Sequence, residues 1–139
     1  MQYRTLFRVA LLALILPLVA AGCDGQRFLK VTGHVTHKGQ PVPNVQVRFI
    51  PDNGERPCNG MTDDEGKFAL KYSTTQTGAP PGAYTVMLTY VPSNEEINQH
   101  IARVNKEVKA TIAKYGDPKT SGLHYELKDD GQNIEINLD

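Results

Sequence analysis

The side chains that could carry chemistry are few and scattered: four histidines, two cysteines and one short acidic run. His34 and His37 stand three apart, a spacing that serves a metal only if both rings reach one ion. On a strand such positions point to opposite faces, and no Glu completes an H-E-x-x-H helix. His100 and His124 are isolated and are expected in solvent. Asp63-Asp64-Glu65 gathers carboxylates, but calcium takes about six to eight oxygens at offsets that here fall on Phe68 and Leu70. Closed by Gly66, the run reads as a turn. Ser73, Ser93 and Ser121 lack a G-x-S-x-G elbow, and no Gly-rich phosphate loop precedes a helix. Cys58 has no base beside it and reads as a small buried hydrophobe. The expectation is a protein that is not an enzyme, with no cofactor and no metal.

Cys23 stands apart. Met1 to Arg8 carries Arg4 and Arg8 and no acid; an uncharged run, Val9 to Ala20, and the small residues Ala20-Ala21-Gly22 follow. A basic head, a short apolar body and small residues at the cut make a secretory signal. From Val9 to Gly22 the apolar run is 14 residues, short of the roughly 20 of a membrane-spanning helix. Leu18-Val19-Ala20-Ala21-Gly22-Cys23 resembles the bacterial lipoprotein signal. That resemblance implies lipidation of the Cys23 sulfur, a mature chain starting there, and attachment to a membrane. Asp24 resembles an inner-membrane retention signal. The alternative is an ordinary secretory signal cut nearby, which leaves Cys23 a plain thiol.

These readings divide the chain into a signal at 1–22, a tether at 23–28 and one domain at 29–139. Cut at Cys23, the chain keeps 117 residues with 13 basic and 15 acidic groups, a formal charge of −2. Without a basic excess, nucleic acid is not an expected partner. With Cys23 lipidated, Cys58 has no disulfide partner, so the core alone must hold the fold.

Twelve Gly and nine Pro suit a turn-rich all-β domain and not a helical bundle. Alternation predicts strands through Leu29–Thr36, Val45–Ile50, Cys58–Thr62, Lys67–Tyr72, Ala83–Val91, Leu123–Lys128 and Ile134–Leu138. Lys38-Gly39-Gln40, Pro51-Asp52-Asn53-Gly54, Asp63–Gly66 and Asp129-Asp130-Gly131 supply the turns. About seven short strands at that spacing predict a two-sheet β-sandwich. One segment breaks the pattern. Ile97, Ile101, Val104, Val108 and Ile112 recur every three or four residues, so one amphipathic helix is expected over about 94–115. Ser93 with Glu96 forms its capping box, and Gly116 ends it. Its stripe is expected to pack on the sandwich; left exposed, it would mark a partner or membrane contact.

Three blocks carry a family resemblance. Val31–Val35 with Lys38–Val45 resembles the "G-x-V…G-x-P-x-x-x-A-x-V" opening of carboxypeptidase regulatory-like domains. Thr62–Phe68 resembles their "T-D-x-x-G-x-F" hairpin, and Pro80–Val86 their "P-x-G-x-Y-x-V" segment. Ala113–Leu123 and Asn133–Leu138 are similar to the tails of small bacterial lipoproteins built on this domain. The resemblance implies a seven-stranded immunoglobulin-like or prealbumin (transthyretin)-like sandwich without catalytic machinery. Gly33, Asp63, Gly66 and Gly82 are then structural residues of strands and turns. Tyr84 is expected to bury its ring and set its hydroxyl on a loop carbonyl, as a tyrosine corner does.

The function expected is a non-catalytic, lipid-anchored module of the cell envelope, on the periplasmic or extracellular face. It would bind a protein, peptide or glycan. Two other readings stay open: an envelope structural protein self-associating through the helix, and a transthyretin-like small-ligand carrier or hydrolase using His34 or His124.

Overall fold

A computed structural model describes residues 25–100 and 102–139 of the chain. In chain order its elements are β1 (Val31–His37), β2 (Gln40–Pro41), β3 (Val45–Pro51), β4 (Cys58–Met61), β5 (Lys67–Ala69), β6 (Gly82–Tyr90), α1 (Asn94–Gln99), α2 (Lys106–Lys114), β7 (Leu123–Leu127) and β8 (Gln132–Leu138). They form two four-stranded sheets. One orders β4-β3-β6-β7; in the other β1 lies between β8 and the pair β2 and β5. The strand total is eight, one above the expected seven, because Gln40–Pro41 after the Lys38-Gly39 turn pairs back on His37 and Thr36.

The alternation in sequence becomes the two inner faces. Val31 and Val35, Val45, Val47 and Phe49, Tyr84, Val86 and Leu88, and Ile134, Ile136 and Leu138 are all buried. Phe49 is the aromatic centre, with ring centroids of Phe68, Tyr84 and Tyr125 at 6.4, 5.9 and 6.1 Å. Each such tilted pair contributes about 1 kcal/mol beyond its buried area. Gly33 makes room for this cluster. A Cβ there would lie 2.4 Å from the Phe68 ring and 2.4 Å from the Ile134 carbonyl oxygen.

β1 and β8 run parallel over seven residue pairs, from Val31 opposite Gln132 to His37 opposite Leu138. The turn at 129–131 therefore carries the chain from one sheet to the other and closes no hairpin. Asp130 anchors the crossing by accepting the Lys30 N–H at 2.7 Å, while the Gly131 N–H donates to the Lys30 carbonyl at 2.9 Å. At the opposite side, the β4–β5 hairpin belongs to both sheets. Asn59 pairs with Lys71 at its base, and Asp63 donates its N–H to the Lys67 carbonyl at its tip. In its middle the strands part, Met61 pairing with Gln46 and Ala69 with Thr32.

The single expected helix is a correction: two helices stand in its place. Ser93 and Glu96 do form the capping box, but α1 ends at His100, which takes a left-handed φ of 53°. The Glu96 carboxylate accepts the Arg103 N–H at 2.9 Å, a donor that a continuous helix would direct to the backbone of residue 99. Asn105 then caps a new start, its side chain accepting the Val108 N–H at 2.9 Å. The stripe is split accordingly. Val104 and Ile112 are buried and Val108 packs beside them, whereas Ile97 is 57% exposed. The second half docks on β6, where the Leu88 N–H reaches the Tyr115 carbonyl at 2.9 Å.

Candidate functional site

The β4–β5 hairpin shapes a broad depression in the described surface. Phe68 and Leu70 turn inward, so Lys67, Ala69 and Lys71 turn out; Asn59 and Met61 face out from β4 on the other side. Between them runs an open groove of about 820 Å³. Gln46, Met61, Asp63 and Lys67 line it toward the turn, and Arg56, Lys71, Tyr72, Ser73 and Thr74 toward the base. Tyr72 organises the base. Phe28 packs on it with ring centroids 5.0 Å apart, and the Arg56 guanidinium lies 5.7 Å from its centroid. Among the described residues Arg56, Lys67 and Lys71 join no ion pair. The one carboxylate in the lining, Asp63, is committed to the turn and accepts the N–H of Glu65 at 3.1 Å and of Lys67 at 2.8 Å. The groove is thus an exposed site with surplus positive charge, suited to an anion.

A second hollow, about 290 Å³, lies where α2 covers the β1–β2 turn. Its charges are matched. The Lys38 ammonium meets Glu107 at 2.7 Å, and that hydrogen bond raises the pKa of Lys38 and lowers that of Glu107. Arg103 pairs with Asp64 and, at 3.3 Å, with Glu95. His37 is buried, and its Nδ1 donates to the Leu138 carbonyl at 2.8 Å. A carbonyl only accepts, so the proton sits on Nδ1; Nε2 stands 3.8 Å from Glu107, beyond hydrogen-bond distance.

Behind this hollow lies Glu96, 2% exposed and the anchor of the helical cap. Its carboxylate accepts the Asn44 amide at 2.5 Å, the Ser93 N–H at 2.8 Å, the Arg103 N–H at 2.9 Å and the Tyr90 hydroxyl. Burial alone would raise its pKa, but the donors led by Tyr90 outweigh that and bring it down to about 2. Tyr90 is pushed up to about 12 by its own burial and by the carboxylate beside it. Asn44 reaches Glu96 from a left-handed φ of 60°, a conformation Asn tolerates better than most residues.

The residues singled out in the sequence separate into distinct places. Cys23 lies outside the described residues. Gly33 sits under Phe68, and Gly66 takes φ +72° at the hairpin tip, where a Cβ would come 2.6 Å from the Val35 carbonyl oxygen. Gly82 opens β6 opposite Leu127. Tyr84 buries its ring and donates its hydroxyl to the Pro80 carbonyl at 2.8 Å. Cys58 is fully buried, and burial pushes its thiol up to about 11, far from the thiolate a nucleophile needs. His34 meets Glu135 at 3.4 Å on the surface, exposed His124 contacts Thr85 at 3.2 Å, and His100 caps α1. No two of these histidines share a site. Ser73, Ser93 and Ser121 accept backbone N–H groups of their own turns. Among the described residues no three His, Cys, Asp or Glu side chains gather as metal ligands would.

Sequence reasoning missed the groove and the Glu96 hub. The alternation of Lys67 and Lys71 around inward Phe68 and Leu70 was a signal for the groove's cations. Nothing local pointed to Arg56 or Tyr72 as their neighbours.

No family model and no curated protein matches this chain. Among solved structures it is similar to the Bacillus anthracis TIE protein at 20% identity and a TM-score of 0.42, over 79% of this chain and 17% of that one. It is also similar to a DUF3823 family protein from Parabacteroides merdae at 16% identity and a TM-score of 0.43, over 79% of this chain and 45% of that one. The chain thus spans less than half the length of either.

Proposed function

We propose that this protein is a non-catalytic binding module of the bacterial cell envelope, tied to a membrane by lipid on Cys23 and presenting a prealbumin-like sandwich of the carboxypeptidase regulatory-like type. The observation that carries the reading is the Gly22-Cys23 junction so close to the domain. Phe28 already packs on Tyr72, and Leu29 already bridges to Ala79. A lipid on Cys23 would therefore hold the sandwich close to a bilayer, on a leash of a few residues.

Further support comes from where the three family-like blocks fall. They map to β1 through β3, to the tip of the β4–β5 hairpin and to the start of β6. The Tyr84–Pro80 bond is the contact that a tyrosine corner makes. The groove, with Arg56, Lys67 and Lys71 exposed along it, is the surface on which such a module would bind.

Metabolic labelling with a radioactive fatty acid in the expressing bacterium tests the anchor. The wild-type chain takes up label and fractionates with membranes, and Cys23→Ala does neither. An unlabelled wild-type protein, or one recovered in the cytosol with its leader uncut, overturns the reading.

A further inference from the structure

We propose that the basic groove beside the β4–β5 hairpin is the face this module turns toward its own membrane, where Arg56, Lys67 and Lys71 take the phosphate headgroups of anionic lipids. The inference rests on the lipid anchor and names what the anchored domain then touches.

The position of the tether comes first. Phe28 packs on Tyr72 at 5.0 Å, Gln26 donates to Glu55 at 3.5 Å, and Arg56 lies over the same Tyr72 ring. The chain therefore enters the domain at the base of the groove. Cys23 stands five residues before Phe28, and five residues span at most about 18 Å. An acylated Cys23 brings that end of the groove within reach of headgroups whatever path the tether takes.

Charge comes second. The chain after Cys23 is net acidic, yet the groove is lined by three cations and a single carboxylate that the turn already uses. Glu55, the acid beside Arg56, accepts from Gln26. Basic side chains act on an anionic leaflet only within about a Debye length of 8–10 Å. A tether of at most about 18 Å lets Arg56 and Lys71 at the base come within that range, Lys67 follows when the groove lies along the leaflet, and their freedom from ion pairs among the described residues leaves them available. The two cations that line the hollow under the helical cap do not share the arrangement: Lys38 and Arg103 are matched by Glu107, Asp64 and Glu95. A second signal beside the acyl chains also has a physical use, since it fixes orientation where lipid alone leaves the domain free to tumble.

Hydrogen exchange of the full lipidated protein in nanodiscs tests the proposal, comparing phosphatidylglycerol with phosphatidylcholine discs. Amides across residues 55–57 and 71–76 exchange at least about threefold more slowly on the anionic discs. The difference vanishes in 0.5 M salt (about a 4 Å Debye length) and in the Arg56→Gln, Lys67→Gln, Lys71→Gln variant. It persists in a control with the same charge change, Lys106→Gln, Lys114→Gln, Lys119→Gln. Near-ultraviolet circular dichroism shows both variants folded, and the salt arm needs no variant at all. Equal exchange on the two disc types overturns the proposal, as does equal loss in the control. Slowing on neutral discs by added polygalacturonate, without slowing by anionic lipid, also overturns it and assigns the groove to an acidic glycan. Intact mass of the same sample reports the acyl chains separately. If they are absent the anchor reading fails, and the unlipidated protein is then mixed with phosphatidylglycerol vesicles; failure to co-sediment at low salt overturns the groove assignment as well.

Discussion

The hollow beneath the helical cap and the groove beside the β4–β5 hairpin both collect cationic side chains, yet they treat them in opposite ways. Under the cap, Lys38 and Arg103 each meet carboxylates, and buried Glu96 is encircled by donors from β6, the turn before β3, the start of α1 and the link between the helices. In the groove, Arg56, Lys67 and Lys71 stand exposed and unmatched. The first arrangement is a structural joint, closed upon itself. The second is an open surface whose cations meet no acid in an ion pair among the described residues. The two hollows are therefore told apart by whether their cations are matched, not by the presence of charge.

Replacing the centre of the joint gives the largest expected effect. Glu96→Ala leaves four donors without their acceptor and lowers unfolding free energy by about 4 kcal/mol, read from urea denaturation. A loss as small as that of an exposed side chain would break the contrast.

Acid sharpens it next. The Glu96 pKa lies at about 2 in the fold against an ordinary 4.5. A depressed pKa means the stabilisation is complete above the unfolded value and is lost as pH falls from near 5 toward 2. The full span corresponds to about 3 kcal/mol. Thermal melts between pH 6 and 2 should show this limb in the wild type and a flatter one in Glu96→Gln.

The smallest effect belongs to the groove. Neutralising Arg56, Lys67 and Lys71 together lowers unfolding free energy by no more than about 1 kcal/mol, because none joins an ion pair among the described residues and the exposed Arg56–Tyr72 contact is the one partner lost. A large destabilisation in the same urea assay would mean the groove is a structural joint too.

The two regions also differ in how far the residues foretold them. Local patterns were legible: the strand alternation, the Ser93–Glu96 capping box, the Asp63–Gly66 turn and the Tyr84 corner all follow from neighbours in the chain. Contacts set by tertiary partners were not. An apolar stripe at 97, 101, 104, 108 and 112 reads as one helix, since no periodicity reveals that a carboxylate seven residues back will take the Arg103 N–H. The left-handed Asn44 that reaches Glu96 gave no local sign, and neither did the parallel pairing of β1 with β8. The groove was half visible. Lys67 and Lys71 share a strand face, but Arg56 comes from a loop and Tyr72 from the far end of the hairpin, and only the folded chain sets them together.

The β1–β8 ladder joins residues 101 positions apart, as in Thr32 to Asn133. Bringing such distant segments together carries an entropic cost that only the completed ladder offsets. β1 finds β2 and β5 soon after it in the chain, but its parallel edge stays bare until β8 has emerged, so that side of the sheet closes late.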